Sequence, residues 1–189
     1  MKPTKMTFQR LEKKYLLPKE QCVQFCESAK EYLEMDPYGP STICNIYFDT
    51  EDDRLISTSL QKPPYKEKLR LRSYGVAKED SLVYLEIKKK CRGVVSKRRI
   101  ALSLEEARAN INEGIAIAHH SQILSEIEYF MHFYHPFPKV FLAYDRIPYI
   151  GKEQDGLRIT FDERIRRRYD HLDLGYGDDG ELLLKEGMT

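Results

Sequence analysis

Lys66, Lys68, Arg70 and Arg72 occupy every second position of the stretch KEKLRLRSYG. In an extended strand they share one face, while Glu67, Leu69 and Leu71 share the other. Cations gathered this way repel one another, so the face needs something to relieve it. Other segments repeat the phase. In Leu82–Lys90 (LVYLEIKKK), Tyr84, Glu86, Lys88 and Lys90 oppose Val83, Leu85 and Ile87. In Ser96–Leu102 (SKRRIAL), Lys97 and Arg99 oppose Arg98, Ile100 and Leu102. Gln9–Leu17 sets Arg10, Glu12 and Lys14 against Leu11, Tyr15 and Leu17. Leu157–Ile165 sets Arg158, Thr160 and Asp162 against Leu157, Ile159 and Phe161, and Tyr144 and Arg146 join the polar side of Lys139–Ile150.

An ordinary half-solvated sheet is one reading of this pattern. Surface strands usually mix signs, however, because like charges facing each other are destabilising. Here the acids on the polar face are few (Glu12, Glu86 and Asp162), while Glu67, Glu79, Asp80, Glu105 and Glu106 lie off it. A bound polyanion accounts for that segregation. Guanidinium forks hold two phosphate oxygens at once, so Arg70 and Arg72 beside Lys88, Lys97 and Arg99 suit a chain of phosphates. If the sheet curls with this face inward, it forms a tunnel lined by Lys and Arg, with helices covering the apolar outside.

The elements that would position these residues follow from periodicity and punctuation. Strands are expected at Gln9–Leu17, Thr42–Asp49, Lys66–Tyr74, Leu82–Lys90, Val94–Leu102, Lys139–Ile150 and Leu157–Ile165. Helices are expected over Lys19–Met35, from the Ser103/Glu106 capping box to Asn112 with Gly114 as its stop, and over Ser121–Tyr134. Thr50–Leu60 reads as a short helical turn, Asp36–Ser41 and Gln61–Tyr65 as irregular, and Arg166–Thr189 as weakly patterned. The short links between the middle strands require antiparallel neighbours. The class is α+β on a meandering antiparallel sheet.

The 189 residues suit one domain, and 31 Lys+Arg against 30 Asp+Glu leave a formal charge of +1, so any basic site is local. No apolar run is long enough to span a bilayer and MKPTKMTFQR has no signal core, which implies a cytoplasmic setting. Cys22, Cys26, Cys44 and Cys91 lack zinc-site spacing and read as buried or half-buried thiols. His119, His120, His132, His135 and His171 lack ligand spacing and read as helix-end or surface residues. The run RIRRRY (Arg164–Tyr169) reads as a solvated face or a tunnel mouth. Thirteen tyrosines occur without any RNP-like or helix-turn-helix pattern, so no nucleic-acid partner is expected.

The ordered set RLEKKY (Arg10–Tyr15), IYFDT (Ile46–Thr50), KLRLRSYG, LEIKKK, SKRRIAL, AYDR (Ala143–Arg146) and LRITFD (Leu157–Asp162) resembles the VTC domain. That domain is the catalytic part of polyphosphate polymerases within the CYTH-like, or triphosphate tunnel metalloenzyme, superfamily. The resemblance implies a closed antiparallel β-barrel in which ATP donates its γ-phosphate to polyphosphate, with a divalent metal, manganese or magnesium. It implies that Lys14 lies by the transferred phosphoryl group and that Arg70 and Arg72 clamp phosphates, with Arg146 completing the catalytic set. Arg10, Lys68, Lys88, Lys97, Arg99 and Arg158 would extend the phosphate track. Glu12 and Glu86 are the lumen acids that could meet the metal, or instead form salt bridges. A further strand bearing a metal-binding glutamate is expected in the family, and the chain ends at LLLKEGMT before it. The expectation is therefore a tunnel domain lacking its last strand. Superfamily relatives that cleave triphosphate keep a hydrolase open as an alternative. A non-catalytic polyphosphate-binding module is the third.

Overall fold

Alternation along the strands translates into one antiparallel sheet. The computed structural model describes residues 7–10, 12–114, 116–118, 121–154 and 156–184. Its strands are β1 (Thr7–Arg10), β2 (Leu33–Met35), β3 (Ser41–Asp49), β4 (Tyr65–Tyr74), β5 (Leu82–Cys91), β6 (Val94–Ser103), β7 (Phe137–Gly151), β8 (Arg158–Arg168) and β9 (Glu181–Leu182). They pair in the order β1-β6-β5-β4-β3-β7-β8-β9, with β2 added along β7. The helices are α1 (Lys19–Ser28), α2 (Arg54–Leu60), α3 (Leu104–Glu113) and α4 (Gln122–Tyr134).

The apolar halves of the strands form the core. Leu69, Leu71, Val83, Leu85 and Ile87 are buried together with Leu55 of α2, Leu104 and Ala107 of α3, and Ile127 and Phe130 of α4. Each of the Leu, Ile, Val and Phe side chains contributes on the order of 2 kcal/mol. At the other end, Phe161 of β8 meets Phe25 of α1 edge-on. Local chemistry starts and stops the helices. The Ser103 hydroxyl accepts from the Glu106 amide, the Glu106 carboxylate accepts from the Ser103 amide, and Gly114 takes φ 68° to end α3. The Asp49 carboxylate of IYFDT accepts the amides of Thr50, Leu55 and Ile56 at 2.8–2.9 Å, which anchors the start of α2. Lys66 donates to the Ser59 carbonyl at 2.8 Å near the end of α2, so the first of the four alternating cations is spent on the fold.

Several expectations need correction. The first strand is described over Thr7–Arg10, paired with Val95–Arg98 of β6, and Leu11 lies outside the described residues. Glu12–Leu17 has no regular structure. The helix expected to reach Met35 ends at Ser28, and Leu33–Met35 instead becomes β2, which pairs with the far end of the long β7 at Tyr149–Gly151. The helical stripe continues past that point, but an unpaired strand end competes for the same residues. Cys91 is exposed at a hairpin, whereas Cys22 and Cys44 are buried.

The closed barrel is not found among the described residues. β1 pairs only with β6 and β9 only with β8, so no ladder joins the two ends of the sheet. His119 and His120 lie outside the described residues, as does the end of the chain from Lys185.

Candidate polyanion site

Strand register turns the alternating cations into rows. Tyr47, Arg70, Glu86 and Arg99 stand opposite one another across β3, β4, β5 and β6. The next row toward the β5–β6 hairpin is Lys68, Lys88 and Lys97. The next row the other way is Asn45, Arg72, Tyr84 and Ala101. Core residues of α2, α3 and α4 and Phe25 of α1 pack on the opposite, apolar face. Glu86 is nevertheless only 1 % exposed, with the side chains of Arg70, Arg72, Lys97 and Arg99 around its carboxylate.

Glu86 is the hub. Its Oε2 accepts from Arg70 Nε at 2.8 Å and lies 2.7 Å from Arg70 NH2, while its Oε1 lies 2.6 Å from Lys97. Arg99 and Arg72 approach at 3.5 and 3.8 Å. Burial alone would raise the carboxyl, but Arg70, Arg72 and Lys97 hold it down at about 2. One carboxylate therefore serves four cations. Burial, with repulsion from Arg72 and Arg70, pushes the Lys97 ammonium down to about 8 despite Glu86 beside it. Burial also lowers Lys68, and its cationic neighbours Lys66, Lys88 and Lys14 add to the effect.

Tyrosines and an asparagine hold the arginines in place. Arg70 donates to the Tyr47 hydroxyl at 2.9 Å, and Arg72 donates to Asn45 Oδ1 at 2.9 Å and the Tyr144 hydroxyl at 3.0 Å. Burial would raise Tyr47, but Arg70 and Arg72 beside it bring it down. Arg99 lies over the Tyr84 ring, 4.4 Å from its centre. Tyr47 and Asn45 escaped sequence reading, although they alternate on the polar side of TICNIYFD and that phase was the available signal.

The model of the VTC domain matches residues 9–187. The chain belongs to the VTC-domain family. No curated protein matches it. Among solved structures, a "putative adenylate cyclase" from Bacillus halodurans is similar at 13% sequence identity and a TM-score of 0.51, covering 87% of this chain and 73% of that one. At that identity the likeness concerns the fold alone. Among the described residues, no helix of this VTC domain is long and apolar enough to cross a membrane.

The remaining expected residues fall around the hub unevenly. Lys88 joins Glu12 at 2.7 Å, and Lys14, with its side chain 81 % exposed, sits 3.9 Å from the same carboxylate. Arg146 is held by both oxygens of Asp162 at 2.7 Å, so its charge is largely matched, although its guanidinium also reaches Tyr144 at 3.5 Å. Arg158 pairs with the buried Asp36 at 3.1 Å. Arg10 stands in the row of Val95, and its side chain lies outside the described residues.

A resident metal fits these residues poorly. Both oxygens of Glu86 are engaged by cations, and a divalent ion there would face four positive charges. Glu12 is one half-exposed carboxylate already paired with Lys88, whereas hard cations take six or more oxygens. No group of three potential ligands occurs among the described residues.

Arg164–Tyr169 is a solvated face only in part: Arg164 and Tyr169 are exposed, whereas Arg166 and Arg168 turn inward. Arg168 donates to the carbonyls of His171, Asp173, Gly177 and Asp179 and lies over Phe141, 3.6 Å from the ring centre. Arg166 donates to Asp145, Asp178 and the carbonyls of Arg164 and Asp178. Both are buried.

Proposed function

We propose that the polar face binds the phosphates of a nucleoside triphosphate or polyphosphate chain and carries out ATP-dependent polyphosphate synthesis. One observation supports this above the others: Arg70, Arg72, Lys97 and Arg99 converge on the buried carboxylate of Glu86, with Lys68 depressed by burial and by further cations in the adjoining row. Membership of the VTC-domain family supports the same chemistry. A CYTH-like fold shared with a protein described as an adenylate cyclase is consistent with a nucleotide as donor.

The chemistry asks little covalent work of the protein. Arg70, Arg72 and Lys97 would neutralise phosphate oxygens as charge develops, and the rows would hold donor and acceptor in line. Their positions are set by Glu86, Tyr47, Asn45 and Tyr144 before any ligand arrives. In this proposal Lys14 and Lys88 guard the end nearest Glu12, while Arg146 and Arg158 form the facing wall. Because the described acids do not assemble a metal site, no step is assigned to a metal. Manganese or magnesium enters the proposal only as a counterion carried by the phosphates.

Incubation of the protein with ATP and manganese, followed by separation of the products by size, tests the assignment. Lengthening polyphosphate is the expected result. Orthophosphate without polymer would make the protein a hydrolase, and saturable binding without turnover would make it a binding module. Absence of both binding and turnover would overturn the site.

A further inference from the structure

The helix-covered side of the sheet carries a surface that the polar site does not use. Along α4, Leu124, Ile127 and Phe130 turn inward, while Tyr129, His132 and Phe133 point to solvent. Tyr129 is 67 % and Phe133 53 % exposed, and their rings stack at 5.9 Å and 15°. Ala, Lys or Glu would serve an exposed helix position better, so two rings there cost helix propensity and put apolar surface in water. The rings are also held in place. Phe133 meets Tyr134 edge-on at 4.8 Å, and the Tyr134 hydroxyl donates to Glu67 of β4 at 3.0 Å. The hydroxyl of the exposed Tyr65 donates to the same carboxylate at 3.1 Å, which extends the aromatic surface onto the sheet.

We infer that two copies of the chain meet on this surface, α4 packed antiparallel against α4 about a two-fold axis. With the axis crossing the helices at Met131, Tyr129 of one copy lies over Phe133 of the other, since the two stand equally far on either side of it. The same operation matches charge with its complement. Glu128 and His132 are exposed one turn apart on one flank of the helix. A two-fold axis running across the helices keeps that flank together, so Glu128 of each copy falls beside His132 of the other, offset by about 3 Å along the helix. Antiparallel helices also set opposite ends of their dipoles side by side. Rings already fixed by Glu67 lose little freedom on docking. The exposed parts of Tyr65, Tyr129 and Phe133 amount to about 300 Å² per copy, well under the roughly 800 Å² of a standard partner surface, so the dimer is a weak one. Because α4 packs on the apolar side of the sheet, pairing leaves both Glu86 faces open. The inference does not depend on the phosphate reading.

Sedimentation of the full chain from about 5 to 500 μM tests it. The average mass should climb from 22.3 kDa toward twice that, with a dissociation constant on the order of tens of micromolar. Tyr129→Ala with Phe133→Ala should stay monomeric throughout. His132→Glu sets Glu against Glu across the axis and should weaken association about tenfold, and adding Glu128→Lys should restore it. Urea unfolding controls for the fold of each variant. A wild type that stays monomeric, a dimer indifferent to loss of the two rings, or a charge swap that restores nothing would overturn the inference. Monomers that co-sediment with phosphatidylglycerol vesicles, and lose this with the rings, would give the surface to a membrane instead.

Discussion

Two clusters of arginine in one sheet, with β3 and β7 between them, have opposite characters. Around Glu86, Arg70, Arg72, Lys97 and Arg99 converge on a single carboxylate, and the arginines are steadied by neutral hydroxyls, an amide and a ring. On β8, Arg166 and Arg168 spread their donors over two carboxylates and a set of loop carbonyls between Arg164 and Asp179. The second cluster is satisfied and staples the loop that places the fully buried Leu174 in the core. The first gathers cations from β4 and β6 on one face. Residue type is alike in the two places, so the difference lies in what the guanidinium groups meet: the Glu86 carboxylate, hydroxyls, an amide and a ring in the first, and mostly the backbone and carboxylates of one loop in the second.

The sharpest way to break the comparison is to delete arginines from each cluster. Arg70→Ala with Arg72→Ala should lower tripolyphosphate affinity on the order of a thousandfold, or about 4 kcal/mol, because two charge-assisted contacts are lost. Stability should fall as well, by about 3 kcal/mol, because Glu86 Oε2 loses both its partners while Oε1 keeps Lys97 and Arg99. Titration together with urea unfolding measures both, and unchanged affinity would remove Arg70 and Arg72 from the site. Arg168→Ala should spare binding. It leaves four part-buried loop carbonyls without their donor and should cost about 2 kcal/mol of stability, while the folded fraction binds tripolyphosphate as the wild type does. A stable Arg168→Ala protein with weakened binding would mean that the two clusters act as one.

Much of this contrast is legible in the sequence, because period-two alternation assigns faces without knowledge of contacts. The Leu69, Leu71 and Val83, Leu85, Ile87 sets went to the core and Arg70, Arg72, Glu86, Lys97 and Arg99 to one face, as their phase requires. What alternation does not reveal is compensation. That Arg146 is matched by Asp162 depends on register between β7 and β8, which a bulge near Ala143 shifts. That Arg166 and Arg168 are structural depends on carbonyls of a loop with no hydrophobic period, so RIRRRY looked like a solvated run. Lys66 shares the phase of Lys68 yet is drawn to the Ser59 carbonyl because α2 ends there.

The smallest expected effect separates charge from structure within the first cluster. Lys97 titrates at about 8, below the ordinary lysine value of 10.5. Between those two values the unfolded chain holds a proton that the folded one has released, so the proton balance makes stability rise with pH across that window. Below about 8 both states are protonated, and the folded state bears the cost of a buried ammonium among arginines. A polyanion has the opposite preference, because it binds the charged form. Its affinity should therefore fall as pH climbs through 8, just where the unliganded protein gains stability. Lys97→Arg keeps its charge throughout and should flatten both trends, which also cancels any titration of the ligand itself. Relative to that variant, wild-type tripolyphosphate affinity should fall several-fold between pH 7 and 9 while the relative urea midpoint moves up. Parallel movement of the two quantities would place Lys97 in the frame of the sheet rather than on the phosphate track.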